Sequence, residues 1–90
     1  MRFEWDPRKA ASNLRKHGVA FHEAATVFQD ILALTGDDPD HSVDEDRMVT
    51  FGLSSRRRLL VVSHTVRRSR LRIISARPAT PAERKIYEEG

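Results

Sequence analysis

The chain contains no cysteine, so neither a disulfide framework nor a thiolate zinc site can hold it together, and a reducing compartment is the simplest expectation. No apolar run approaches the roughly 18 residues that a membrane-spanning helix needs. The opening Met1-Arg2-Phe3-Glu4-Trp5-Asp6 also lacks the apolar stretch of a signal peptide. These absences predict a soluble, unprocessed, cytoplasmic protein with no membrane partner. There is no glycine-rich phosphate loop, no Ser-His-Asp motif and no His-Glu-x-x-His spacing, which sets aside the nucleotide-binding, triad-hydrolase and zinc-hydrolase designs that those patterns carry. Ninety residues fit one domain, 1–90, with one modest core.

The last absence is local. From Arg47 to Ala82 there is no acidic residue, while nine arginines (47, 56, 57, 58, 67, 68, 70, 72 and 77) fall in that stretch. Just before it, Asp37 to Asp46 holds six acids: Asp37, Asp38, Asp40, Asp44, Glu45 and Asp46. A field segregated in this way favours a polyanionic partner on the basic half, nucleic acid above all, although the formal net charge is only +3. Arg56 to Arg58 and Arg67 with Arg68 sit where turns are expected, so solvated turn positions are the alternative for them. Arg72 and Arg77 lie within or at the end of an apolar strand, where that alternative is weaker.

Alternation in Arg2 to Trp5 places Phe3 and Trp5 on one face of a short strand. Asp6 and Pro7 then open a helix as N-cap and first residue, and Gly18 closes it after Arg15, Lys16 and His17. Phe21, Ala24, Ala25 and Phe28 predict a second amphipathic helix. A short strand is expected over Ile31 to Thr35, followed by a polar acidic loop, Gly36 to Glu45. Arg47 to Leu53, Arg58 to His64 and Arg70 to Ala76 read as three strands, joined by Ser54 to Arg57 and Thr65 to Ser69, short enough for antiparallel hairpins. Thr80, Pro81 and Glu83 form a capping box that starts a last helix running to about Glu88. The fold class is therefore α+β: a mainly antiparallel sheet of about five strands, with two N-terminal helices and one C-terminal helix. Helices should cover one sheet face and leave the other polar and basic.

Arg70 and Arg72, two apart, share one strand face, and paired guanidiniums suit phosphate because each planar fork donates two parallel hydrogen bonds. Arg72 and Arg77 differ by an odd number, so they share a face only if the strand bends or ends near Ser75 or Ala76. If the second hairpin pairs His64 with Arg70, then His64 joins Arg70 and Arg72; a shift of one residue substitutes Ser63 or Thr65. Metal-independent RNA cleavage needs a base for the ribose 2′-OH, an acid for the leaving 5′-oxygen and cations for the phosphorane charge, roles that histidine, carboxylate and arginine can fill. The catalytic candidates are His41, Glu45, Arg47, His64, Arg72 and Arg77. Candidate RNA contacts are Lys9, Lys16, Arg58, Arg70, Glu83 and Tyr87. Their structural alternatives are surface charge for the lysines, the capping box for Glu83 and packing for Tyr87. His41 and Glu45 supply two metal ligands where a catalytic site usually takes three, so no metal and no other cofactor is expected, and a metal-dependent hydrolase is a third reading.

The ordered set Phe3-x-Trp5-Asp6, Asn13-x-x-Lys16-His17-Gly18-Val19-x-Phe21-x-Glu23-Ala24, Val27-Phe28-x-Asp30, Asp40-His41-Ser42, Glu45-x-Arg47, Arg72-Ile73-Ile74-Ser75-Ala76-Arg77, Glu83-Arg84 and Tyr87 resembles the BrnT toxins of bacterial type II toxin–antitoxin systems. The resemblance covers essentially the whole chain. It implies a RelE-like α+β fold, a ribonuclease activity that arrests translation and growth, and neutralisation by a BrnA-like antitoxin with a ribbon-helix-helix domain. It also implies RNA as substrate and operator DNA contacted through the toxin–antitoxin complex. Residue by residue, the positions that it carries over are His41, Glu45, Arg47, Arg72, Arg77 and Glu83; His64 rests on geometry alone. The competing class is a non-enzymatic corepressor module whose basic face contacts nucleic acid or antitoxin.

Overall fold

Helix ends are set by local chemistry in the computed structural model, which describes residues 1–38 and 46–90. Strand β1 (Arg2–Glu4) leads into α1 (Pro7–His17), whose N-cap Asp6 accepts a hydrogen bond from the Arg8 N–H at 2.8 Å. At the other end Gly18 takes a left-handed conformation, φ 68°, and its N–H reaches the Leu14 carbonyl. The helix expected over Phe21 to Phe28 is shorter than its periodicity predicts. It comprises α2 (Phe21–Ala25) and then a 3₁₀ turn, Thr26–Gln29. Thr26 Oγ1 donates to the Glu23 carbonyl at 2.6 Å, a side-chain bond that competes with continued α-helix.

Strand β2 is Leu34–Asp37, displaced from the expected Ile31 to Thr35. Asp30 explains the shift: its Oδ1 accepts the Leu32 N–H at 2.9 Å and its carbonyl accepts the Ala33 N–H, so Ile31 and Leu32 are held in a turn. Strands β3 (Met48–Leu53), β4 (Leu59–Arg67) and β5 (Arg70–Pro78) follow, then α3 (Pro81–Glu89). The β4–β5 connection is thus two residues, Arg68 and Ser69, and not the five from Thr65 to Ser69. The sheet order is β1-β5-β4-β3-β2, antiparallel except for β1, which pairs parallel to β5.

Helices α1, α2 and the 3₁₀ turn cover one face, called here the core face. Val19, Phe21, Ala24 and Val27 meet Leu60, Val62, Leu71, Ile73 and Ala76 there, with Phe3, Trp5 and Phe28 packed around them. Full burial of side chains such as Phe21, Leu60 and Ile73 contributes roughly 1.5–3 kcal/mol each. Asn13 ties α1 to β5 from inside this layer: its Nδ2 donates to the Val19 and Ala76 carbonyls at 2.9 and 2.8 Å, and its Oδ1 accepts the Ala76 N–H at 3.0 Å.

The expectation that one face would hold the helices is corrected by α3, which lies on the outer face over the β2–β3 half. Ile86 lines an apolar depression with Leu34, Val49 and Phe51, and the Tyr87 hydroxyl donates to Asp30 Oδ2 at 2.6 Å. None of the α3 residues is buried, so the helix is held mainly by its ends. The Thr80 and Glu83 capping box forms as the sequence predicts. The β1-β5-β4 part of the outer face carries the arginines. Among the described residues no helix is long and apolar enough to cross a membrane.

Candidate nucleic-acid interface

The register of β4 with β5 decides which arginines meet. Thr65 pairs with Arg72 and Val61 with Arg77, so five residues of β5 span four of β4, with a shift between Ser63 and His64. One extra residue, Ile74, is accommodated as a bulge. The bulge restores parity: Arg72 and Arg77 both project from the outer face, the condition that an unbroken strand would have failed. Four residue steps of β4 separate them by about 13 Å.

Rows of side chains can be read across this face. Thr65, Arg72 and Glu4 form one row, Ser63 and Ser75 the next, Val61 and Arg77 the third. Arg47, one residue before β3, alternates to the same face as Val49, and the adjacent Asp46 carbonyl accepts the Thr65 hydroxyl at 3.3 Å. The Nε of Arg47 is buried with no hydrogen-bond partner. The arrangement offers cations at Arg47, Arg72 and Arg77 around a set of small hydroxyls.

Two carboxylates already engage these cations. Arg72 Nη1 donates to Glu4 Oε2 at 3.0 Å, and Arg70 approaches Glu4 Oε1 at 3.7 Å. Arg77 makes two parallel bonds to Glu83, both 2.7 Å. Those bonds, with the cap bonds from Thr80, outweigh burial and pull the Glu83 carboxyl down to about 2. Arg77 thus tethers α3 while standing on the arginine face.

The geometric premise for His64 needs correcting. It pairs with Ile73 and not with Arg70, whose partner is Arg67, and Thr65 takes the position beside Arg72. His64 therefore points to the core face, where it is 3% exposed. Its Nε2 bonds Thr50 Oγ1 at 2.7 Å, Thr50 bonds Thr35 at 2.7 Å, and Phe28 stands edge-on to the imidazole ring at 4.9 Å. Burial pushes its pKa down to about 4, and Nδ1 has no partner. The sheet itself separates this histidine from Arg70 and Arg72.

Other candidates are dispersed. Arg58 grips Glu23 through Nε (2.9 Å) and Nη2 and also donates to the Gly18 carbonyl, a clamp between β4 and the start of α2. That hydrogen bonding holds the Glu23 carboxyl below its ordinary value and Arg58 above its own. Tyr87 is raised to about 12 by its bond to Asp30, and burial adds to the rise. Lys9 and Lys16 are exposed on α1, on the opposite side of the sheet from the arginines. His41 and Glu45 lie outside the described residues. Among the described residues no three His, Asp or Glu side chains gather as a metal site.

Glu4 and the Ser75 hydroxyl carried no signal that singled them out, whereas Thr65 beside Arg72 is one of the alternatives that a one-residue shift of the hairpin allowed. Alternation in Arg2-Phe3-Glu4 sets Glu4 opposite Phe3 and goes no further. The pairing of β1 with β5, which brings Glu4 to Arg72, has no local signature.

The family model for the ribonuclease toxin BrnT of type II toxin–antitoxin systems matches residues 5–83. The chain belongs to the BrnT family. Its fold is that of a solved BrnT: the crystal structure of the Brucella abortus ribonuclease toxin BrnT superposes with a TM-score of 0.69 at 24% identity, over 89% of this chain and 97% of that one. No curated protein matches by sequence. The α+β class, five-stranded sheet and three helices expected from the sequence are thus those of BrnT.

Proposed function

We propose that this BrnT-family chain is a metal-independent endoribonuclease that inhibits translation, acting in the cytoplasm and neutralised by a BrnA-like ribbon-helix-helix antitoxin. The supporting observation is the bulge at Ile74, which gives Arg72 and Arg77 a common face with Arg47, outside the core. In the proposed step the 2′-oxygen attacks phosphorus as its proton leaves to a base, and the 5′-oxygen departs with a proton from an acid. The products are a 2′,3′-cyclic phosphate and a 5′-hydroxyl. Arg47 and Arg72 stabilise the phosphorane charge. His41 and Glu45, which precede Arg47 in the chain, are the proposed proton-transfer pair. The antitoxin acts by covering the arginine face, and the complex contacts operator DNA.

Purified protein incubated with single-stranded RNA in excess EDTA tests this reading. The wild type should leave cyclic phosphate ends, and Arg72→Gln should cleave about 10²- to 10³-fold more slowly. Cleavage abolished by EDTA and restored by a divalent ion would reject metal independence; no cleavage under either condition would reject the activity. One observation favours a second reading, a non-enzymatic corepressor module: Arg72 and Arg77 already hold carboxylates. Growth arrest on expressing the chain alone, relieved by its antitoxin, separates the two.

A further inference from the structure

The tip of the β4–β5 hairpin is the most unbalanced part of the molecule. Arg67 pairs with Arg70, and Arg2 pairs with Arg70 from the other side, so three arginines stand in one row across three strands. Like charges directly opposite destabilise a sheet. The carboxylate beside them, Glu4, is already shared between Arg70 and Arg72. Among the described residues Arg2, Arg67 and Arg68 have no carboxylate partner. A concave space of about 660 Å³ opens here, lined by Glu4, Arg67, Arg68 and Arg70.

The turn itself adds an independent observation. Arg68 and Ser69 have φ of 50° and 63°, two consecutive left-handed residues of the kind that a two-residue hairpin turn requires. Asn-Gly meets that demand without strain, yet this chain places a third hairpin arginine there. Left-handed backbone held beside arginines that, Arg70 apart, have no carboxylate partner among the described residues points to a ligand. The guanidiniums spread over three strands, about 10 Å, too wide for one phosphate and suited to several along a chain. The same row adjoins Arg72 on the outer face.

We propose that Arg67, Arg68 and Arg70, with Arg2, form a backbone subsite that holds phosphates of the RNA strand flanking the one at Arg72. This rests on the ribonuclease reading and names how its substrate is anchored. The probe is a short fluorescent 2′-O-methyl oligoribonucleotide, which lacks the attacking hydroxyl and cannot be cleaved, titrated by anisotropy over a range of salt.

Arg67→Gln/Arg68→Asn should bind about tenfold more weakly, and its slope of log affinity against log salt should fall by about 1.4, two contacts at roughly 0.7 each for a single strand. Arg8→Gln/Arg15→Gln, which removes the same charge from α1, should keep the wild-type slope. Arg68→Asn/Ser69→Gly should raise the Tm by about 5 °C and still lower the slope by about 0.7, which guards against misfolding as the cause. Unchanged slopes in the hairpin variants overturn the proposal. So does an equal fall in the α1 variant, which would mean diffuse charge, or hairpin variants that lose binding to a fluorescent polyglutamate peptide, titrated in parallel, while keeping the oligonucleotide, which would make the tip a protein-binding surface. The expected binding and variant slopes together with a wild type that cleaves no RNA refute the ribonuclease reading and leave the anion subsite. A wild type that cleaves RNA while its hairpin variants bind unaltered refutes the subsite alone.

Discussion

Arg77 donates from Nη1 to one oxygen of Glu83 and from Nη2 to the other, both at 2.7 Å, so the end of β5 is clamped to the first turn of α3. Glu83 Oε1 also accepts the Thr80 N–H at 2.9 Å. One carboxylate therefore closes the capping box and the strand-to-helix join together. Glu83→Gln should lower stability by about 1 kcal/mol, because Arg77 is half exposed and solvent screens part of the pair. The contribution follows pH with a defined sign: the folded pKa near 2 lies below the ordinary 4.5, so the stabilisation is complete above 4.5 and is lost as pH falls toward 2. Urea midpoints of wild type and variant should converge over that window; parallel curves would place the stabilisation elsewhere.

His64 titrates in the opposite chemical sense with the same direction in pH. Its folded pKa of about 4 lies below the ordinary 6.5, so between the two values the unfolded chain binds a proton that the native state excludes. Stability is complete above 6.5 and falls by about 3 kcal/mol as pH drops to 4. His64→Gln retains a group able to bond Thr50 and removes the titration. Its stability should be nearly flat between pH 6.5 and 4.5 where the wild type slopes, as read by urea denaturation.

What the sequence made legible was what neighbours in the chain decide. Asp6 with Pro7, Gly18 after a basic turn, and Thr80-Pro81 with Glu83 each satisfy orphan helix-end groups locally, and each helix end appears where those residues sit. Asp30 was the local signal most easily overlooked, since an Asx turn converts the apolar Ile31-Leu32 pair from strand to exposed turn. The Arg72 and Arg77 geometry was legible only as a condition. Whether it is met depends on a one-residue slip against β4, and register is fixed by core packing of Ala76 and Ile73, on either side of Ile74, against Val62 and His64. His64 is kept off the arginine face by a different feature, the two-residue turn that sets Arg67 opposite Arg70 and therefore His64 opposite Ile73 before the slip begins.

Glu23 is buried in α2 while its carboxylate meets Arg58, and the Ser54 hydroxyl donates to it at 2.7 Å. The three side chains join the α2 start, the β3–β4 turn and the β4 start. Glu23→Gln keeps the size and one acceptor but leaves Arg58 without its counter-ion. The loss should be about 2 kcal/mol, reduced from that of a fully buried pair because Arg58 is partly solvated. Glu23→Gln/Arg58→Met should recover part of it, and a double-mutant cycle measured in urea gives the coupling. Additive losses would show that the clamp carries no energy of its own.

Asn13 offers the sharpest test of how α1 is fixed over β5. Its amide nitrogen faces two carbonyls, Val19 and Ala76, and its oxygen faces the Ala76 N–H, so the side chain is matched donor to acceptor in a site only 6% exposed. Asn13→Asp changes one atom type and inverts the match, since a carboxylate oxygen then confronts both carbonyls. At neutral pH the substitution should cost about 3 kcal/mol or more, through an unpaired buried charge and two carbonyls left without donors. Burial against acceptors should raise the Asp carboxyl, so that at acidic pH the protonated group donates again to one of those carbonyls. The deficit relative to wild type should therefore shrink as pH falls from 7 to 4.5. A deficit that stayed constant would mean that the side chain turns outward and α1 shifts with it, and a crystal structure of the variant would show which.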